Sequence, residues 1–114
     1  MAKLECTLYG GIDEIRQALE SAILGGSVSA TCEDESCFSL GGNRCFLSVY
    51  ERYSWTGSNR VSLSVMLVQD GPRVRLSAIT SGGSQAVFFK INTFGESAFL
   101  DHVRDAVRPF LQHA

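Results

Sequence analysis

Apolar and polar residues alternate with period two along most of this chain, and recur with a period near 3.6 in an early stretch and at the end. Leu4, Cys6 and Leu8 alternate with Lys3, Glu5, Thr7 and Tyr9, which predicts a half-buried strand. Ile12, Ile15, Leu19, Ala22 and Ile23 follow at helical spacing, opposed by Asp13, Glu14, Arg16, Gln17 and Glu20. They predict a helix over 13–24, with Asp13 as N-cap and Gly25 just past its end. Val28, Ala30 and Cys32 alternate with serine and threonine up to an acidic turn at 33–36, and a short apolar piece, Cys37 to Leu40, comes next. The longest strand is expected from Arg44 to Trp55. Its odd positions, Cys45, Leu47, Val49, Glu51, Tyr53 and Trp55, are read as the inward set; its even positions, with Phe46 and Tyr50, are read as the outward one.

Thr56-Gly57-Ser58-Asn59 reads as a hairpin connection into Val61, Leu63, Val65 and Leu67, and Asp70-Gly71-Pro72 turns the chain into Val74, Leu76 and Ala78. Loops this short require antiparallel neighbours, because parallel pairs need long crossovers. Ala86 to Asn92 predicts a final strand. A closing helix carries Phe99, Val103, Val107, Phe110 and Leu111, opened by a capping box at Thr93 and Glu96 and ended by Pro109. The Gly-Gly pairs at 10–11, 25–26, 41–42 and 82–83 fall where the periodicity changes. The fold class is therefore α+β in two layers: an antiparallel sheet of five to six strands with an N-terminal and a C-terminal helix on one face, in the order β-α-β-β-β-β-β-α. That order resembles a reduced helix-grip architecture, as in the START and pollen-allergen folds, where a curved sheet wraps a C-terminal helix. The stretch from Phe88-Phe89-Lys90-Ile91-Asn92 through Gly95-Glu96-Ser97-Ala98-Phe99-Leu100 is similar to small uncharacterised bacterial proteins with no assigned activity.

Composition narrows the function classes. With 114 residues, 45% of them hydrophobic and only 2 prolines, the chain is expected to form one domain, 1–114, around a single core. A net charge of −2 argues against a nucleic-acid partner, whose phosphates call for a basic excess. The apolar run at 65–68 is far short of the roughly 20 residues a membrane helix needs. The first residues form no secretory signal, so a reducing, cytoplasmic setting with free thiols is expected for Cys6, Cys32, Cys37 and Cys45.

The candidate chemistry is thin. The four cysteines lack the tight paired spacing of structural zinc sites, so no metal is expected, and Cys37, least tied to an apolar pattern, is the best candidate for a reactive thiol. His102 has no nucleophile or proton partner at a telling distance in sequence, and no Gly-x-Ser-x-Gly elbow occurs. Gly10-Gly11 stands where a strand meets a helix, yet Asp13 and Glu14 already occupy that helix end with negative charge. No cofactor motif is present, and an enzyme is the least favoured class.

Two binding readings remain. In the first, an apolar small molecule enters a pocket between the sheet and the last helix, lined by Val49, Tyr53, Trp55, Leu63, Phe99 and Val103, with Glu51 as a polar anchor. In the second, Phe46, Tyr50, Met66, Ile79, Arg73 and Arg75 form an outer sheet face that binds a protein partner or a second copy, making a homodimer.

Overall fold

The computed structural model describes residues 1–26, 29–53, 60–82 and 89–111, with 89–97 described by backbone alone. The elements are β1 (Ala2–Tyr9), α1 (Ile12–Gly25), β2 (Thr31–Leu40), β3 (Asn43–Tyr53), β4 (Arg60–Asp70), β5 (Arg73–Gly82) and α2 (Phe89–Val107), followed by a 3-10 turn, Arg108–Phe110. The strands form one antiparallel sheet in the order β1-β5-β4-β3-β2. Helix α2 packs on β1, β5 and β4, and α1 packs on α2 and β4. The α+β layout, with both helices on one face of an antiparallel sheet, is the one the periodicities predict.

The core lies between that face and the helices. Ile12, Ile15, Leu19 and Ile23 of α1 and Phe99, Leu100, Val103 and Val107 of α2 meet Leu8, Val61, Leu63, Val65, Leu67, Val74, Leu76 and Ala78 of the sheet. Each of these side chains larger than alanine contributes about 1.5–3 kcal/mol by leaving water. Thr80 is a polar group buried in this layer, and it is satisfied at the start of β1: it accepts from the Ala2 amide at 3.1 Å and donates to the Ala2 carbonyl at 3.3 Å.

Strand β3 departs from the sequence reading. Phe46, Ser48 and Tyr50 are its buried positions, and Leu47 and Tyr53 are exposed. The cause is register. Partner positions across an antiparallel pair sum to a constant, and pairing Phe46 with Leu67 and Tyr50 with Leu63 makes that constant odd. Even positions of β3 therefore share a face with odd positions of β4. The four-residue hairpin read from the sequence has the same parity, so this signal was already present in the loop length.

Other boundaries shift for local reasons. The acidic segment at 33–36 does not end a strand: β2 runs straight through it, with a bulge between Cys32 and Asp34, because an edge strand can hold its charges in water. Residues 89–92, read as the end of a final strand, form the first turn of α2, so that helix begins ahead of the Thr93–Glu96 box. Residues 86–88 of that segment, the hairpin at 56–59 and Trp55 lie outside the described residues. Gly11, extended, precedes α1 with no side-chain cap, and the Asp13 carboxylate instead pairs with Arg44 at 2.7 Å. Pro109 sits in the 3-10 turn that ends α2, as its missing N–H requires.

Two of the places that need glycine do so for different reasons. Gly41 and Gly42, at φ +57° and +87°, connect β2 to β3 with both residues left-handed, as a two-residue hairpin of the mirror-image type needs. Gly26 lets α2 dock on the end of α1: a Cβ there would lie 2.6 Å from the His102 ring.

Candidate interaction face

The register assigns each outward side chain of the sheet to a row. One row runs Ser36, Leu47, Met66, Ser77, Glu5 from β2 across to β1. On one side of it lies the row Asp34, Val49, Ser64, Ile79, Lys3, and on the other Phe38, Cys45, Val68, Arg75, Thr7. No helix covers this face among the described residues. Leu47 and Met66 are cross-strand partners at its centre, 43% and 44% exposed, and Ile79 is 39% exposed. Among the described residues, six of the eight large apolar side chains that stand out into water (Phe38, Leu40, Leu47, Tyr53, Met66 and Ile79) belong to this face, so its apolar character is concentrated and not scattered. The residues between them on β4 and β5 are largely small serines, Ser62, Ser64 and Ser77.

Charge frames the centre. Glu51, half-buried, pairs with Arg60, whose guanidinium also lies 5.6 Å from the Tyr53 ring centroid. These residues and Thr31, Glu33, Ser29 and Arg52 surround an open hollow of about 220 Å³ at the end of β3, lined by charges. Arg73 pairs with Asp70 at 3.4 Å, while Ser77 donates to Glu5 at 3.0 Å. A second hollow, about 170 Å³, lies beside Leu47 and Val49 against Asp34, Glu35 and Ser36.

The residues of the two sequence-based sites are thus redistributed. Met66, Ile79, Arg73 and Arg75 stand on the outer face, as read. Phe46 and Tyr50 do not: they are 9% and 2% exposed and belong to the helix-covered side. Of the pocket residues, Leu63, Phe99 and Val103 are fully buried in the core, while Val49, Glu51 and Tyr53 are on the opposite side of the sheet. The set is not brought together. Beneath the described part of α2, Leu63, Phe99 and Val103 belong to the buried core, and Arg52 lays its guanidinium 4.5 Å from the Phe99 ring centroid; burial lowers the pKa of that guanidinium.

The sequence reading also missed how the helix-covered side is closed at its margin. Arg16 of α1 and Arg44 of β3 each place a guanidinium 4.9 Å from the centroid of Phe46. Arg16 pairs with Glu35 at 3.4 Å, and the bond to Asp13 raises the pKa of Arg44. The signal was an aromatic at a β3 position one row from the end of the helix layer. Its register partner on β2, Cys37, is exposed. Burial pushes the Cys6 thiol up, and the Cys32 thiol is raised by burial first and then by Glu35 and Glu20; Cys45 stands on the outer face, not at the inward position expected of it. No group of three or more metal-ligating side chains occurs among the described residues.

Tyr50 carries the largest electrostatic consequence of the β3 register. Burial, then the nearby Cys32 and Glu20, push its phenol from 10.0 up to about 12, against a lowering hydrogen bond with Ser48. The folded state therefore keeps a proton that the unfolded chain releases, so Tyr50 costs nothing below pH 10 and subtracts stability as pH rises from 10 to about 12. A loss of about 1–2 kcal/mol is expected over that window, allowing for partial solvent relaxation. Urea midpoints measured between pH 9 and 12 should fall in the wild type and fall less in Tyr50→Phe. Parallel curves for the two proteins would contradict the assignment.

Residues 1–111 match a family of unknown function, DUF6054. No curated protein matches the chain. Among solved structures, a protein of unknown function from Pseudomonas aeruginosa, described as a suggested regulator, is similar at 13% identity, with 92% of this chain and 76% of that one covered and a TM-score of 0.47. No helix among the described residues is long and apolar enough to cross a membrane.

Proposed function

We propose, starting from the fact that this chain belongs to DUF6054, a family of unknown function, that it is a non-catalytic interaction module whose working surface is the uncovered face of its sheet. The observation that carries this reading is the gathering of Leu47, Met66, Ile79 and Tyr53 on one face of the sheet, opposite the buried core among the described residues. Apolar centres ringed by polar groups are what protein interfaces bury, whereas isolated apolar residues on a surface need no partner. The hollows described on this face, about 220 and 170 Å³, are open and small beside the pockets that enclose small ligands, which favours a protein surface over an apolar small molecule as the occupant. We assign the module to the cytoplasm, where a reducing environment keeps Cys37, exposed on an edge strand, as a thiol.

The test is site-specific photo-crosslinking in cells that make the protein. A crosslinker at Met66 should give one adduct of defined mass, which Leu47→Glu suppresses by tenfold or more, on the order expected for a charge buried at an interface centre. A crosslinker at Gln17, exposed on α1, should not give that adduct. Equal yields at the two positions, or no adduct at Met66, would overturn the reading.

A further inference from the structure

We propose that the occupant of the outer sheet face is a second copy of this chain, related by a two-fold axis that passes between Leu47 and Met66. The inference rests on the interaction-face reading above and names its partner. It comes from two outer-face charges that have no salt bridge among the described residues, the Asp34 carboxylate accepting only from the Glu35 amide, at 2.8 Å. Asp34 and Arg75 are both exposed on the outer face, and neither has a salt-bridge partner among the described residues. Asp34 is on β2, one row to one side of the Leu47–Met66 row, and Arg75 is on β5, one row to the other side. The sheet order puts β3 and β4 between those two strands. The midpoint of the Asp34–Arg75 line therefore falls between Leu47 and Met66, at the apolar centre.

That coincidence is the requirement of an isologous interface. A two-fold axis lying in the interface plane, through this midpoint and perpendicular to the Asp34–Arg75 line, sets each Asp34 against Arg75 of the other copy, twice. The same operation stacks the two apolar centres and brings the flexible side chain of Met66 next to the hollow bounded by Asp34, Ser36, Leu47 and Val49 of the other copy. Strands of the two sheets then cross steeply, within the range that face-to-face sheets adopt. The area reaches the lower end of the range for stable interfaces: five strands at ~4.8 Å and about eight residues at ~3.3 Å make a footprint of roughly 600 Å² before side-chain relief is counted. Standard interfaces bury about 800 Å² per partner. An unrelated partner would have no reason to match a charge pair centred on this chain's own apolar pair.

Sedimentation velocity of the purified protein tests this directly. The wild type should be dimeric at about 10 μM, and Asp34→Arg and Arg75→Asp should each weaken the dimer by at least about tenfold, with circular dichroism unchanged. Mixing the two variants in equal amounts should restore a dimer. One copy then carries arginine at both positions and the other carries aspartate at both, so each of the two contacts again joins opposite charges. A wild type that is monomeric at about 100 μM, or variants that stay monomeric on mixing, would overturn the proposal. The outcome at Met66 separates this failure from that of the wider reading: an adduct of mass other than twice 12.4 kDa removes the second copy but keeps the interaction face, and no adduct removes both.

Discussion

Replacing Tyr50 by serine is expected to destabilise the protein by about 3–5 kcal/mol, a large share of the ~5–15 kcal/mol that holds a domain of this size together. The side chain is 2% exposed, beneath the helix layer, and its ring would be replaced by a hydroxymethyl group that cannot fill the space. A melting temperature lowered by about 10–20 °C is the corresponding readout. Leu47→Ser is the control, since it removes a side chain of the same strand but from the opposite face. In the monomer it should change stability by no more than about 0.5 kcal/mol. If the two substitutions cost the same, the register of β3 against β4 is wrong, and the interaction face with it.

Phe99→Ala should be comparably damaging, at about 3–5 kcal/mol. Phe99 is wholly buried on α2, among the residues that join this helix to the sheet. Its loss opens a cavity and also strips the ring from beneath Arg52, whose guanidinium is already desolvated enough to lower its pKa. The charge is then left over a void, so the cost should exceed that of Leu100→Ala on the same helix. Chemical denaturation of the two variants makes the comparison, and Phe99→Leu, which keeps most of the volume, should recover over half of the loss. Equal losses for Phe99→Ala and Leu100→Ala would show that the Arg52 contact contributes nothing.

Much of the architecture was legible because its signals were local. The helical faces of Ile12, Ile15, Leu19 and Ile23 and of Phe99, Val103 and Val107 have polar residues opposite them, so only one orientation buries them well. In β4 and β5 the large aliphatic residues occupy one parity, opposed mostly by serine and arginine, and the inward face follows directly. The surface ion pairs at the end of α2, Arg104 with Asp101 at 2.9 Å and Arg108 with Asp105 at 3.0 Å, follow from helical spacing alone.

The candidate face was legible only in part, and β3 explains why. Its two parities are nearly equal in apolar content: Leu47, Val49 and Tyr53 against Phe46 and Tyr50. Alternation reveals that a strand has two faces but carries no sign, and with both faces apolar the burial preference of single residues cannot supply one. The sign comes from pairing, since the odd register with β4 forces Phe46 and Tyr50 to the side where Leu63 and Leu67 already lie. The turn at 89–92 has the same explanation at smaller scale, because a short apolar run fits a strand or a helix equally well until the rest of the helix extends into it. By itself, then, the sequence determined the element types, the one-sided helices and the core faces of β1, β4 and β5, all properties a segment has without its neighbours. The parity of the β3–β4 hairpin was in the loop length, but only the tertiary structure paired Leu47 with Met66 and placed Asp34 and Arg75 on either side of them, because those placements depend on how separate strands, and the bulge in β2, are aligned with one another.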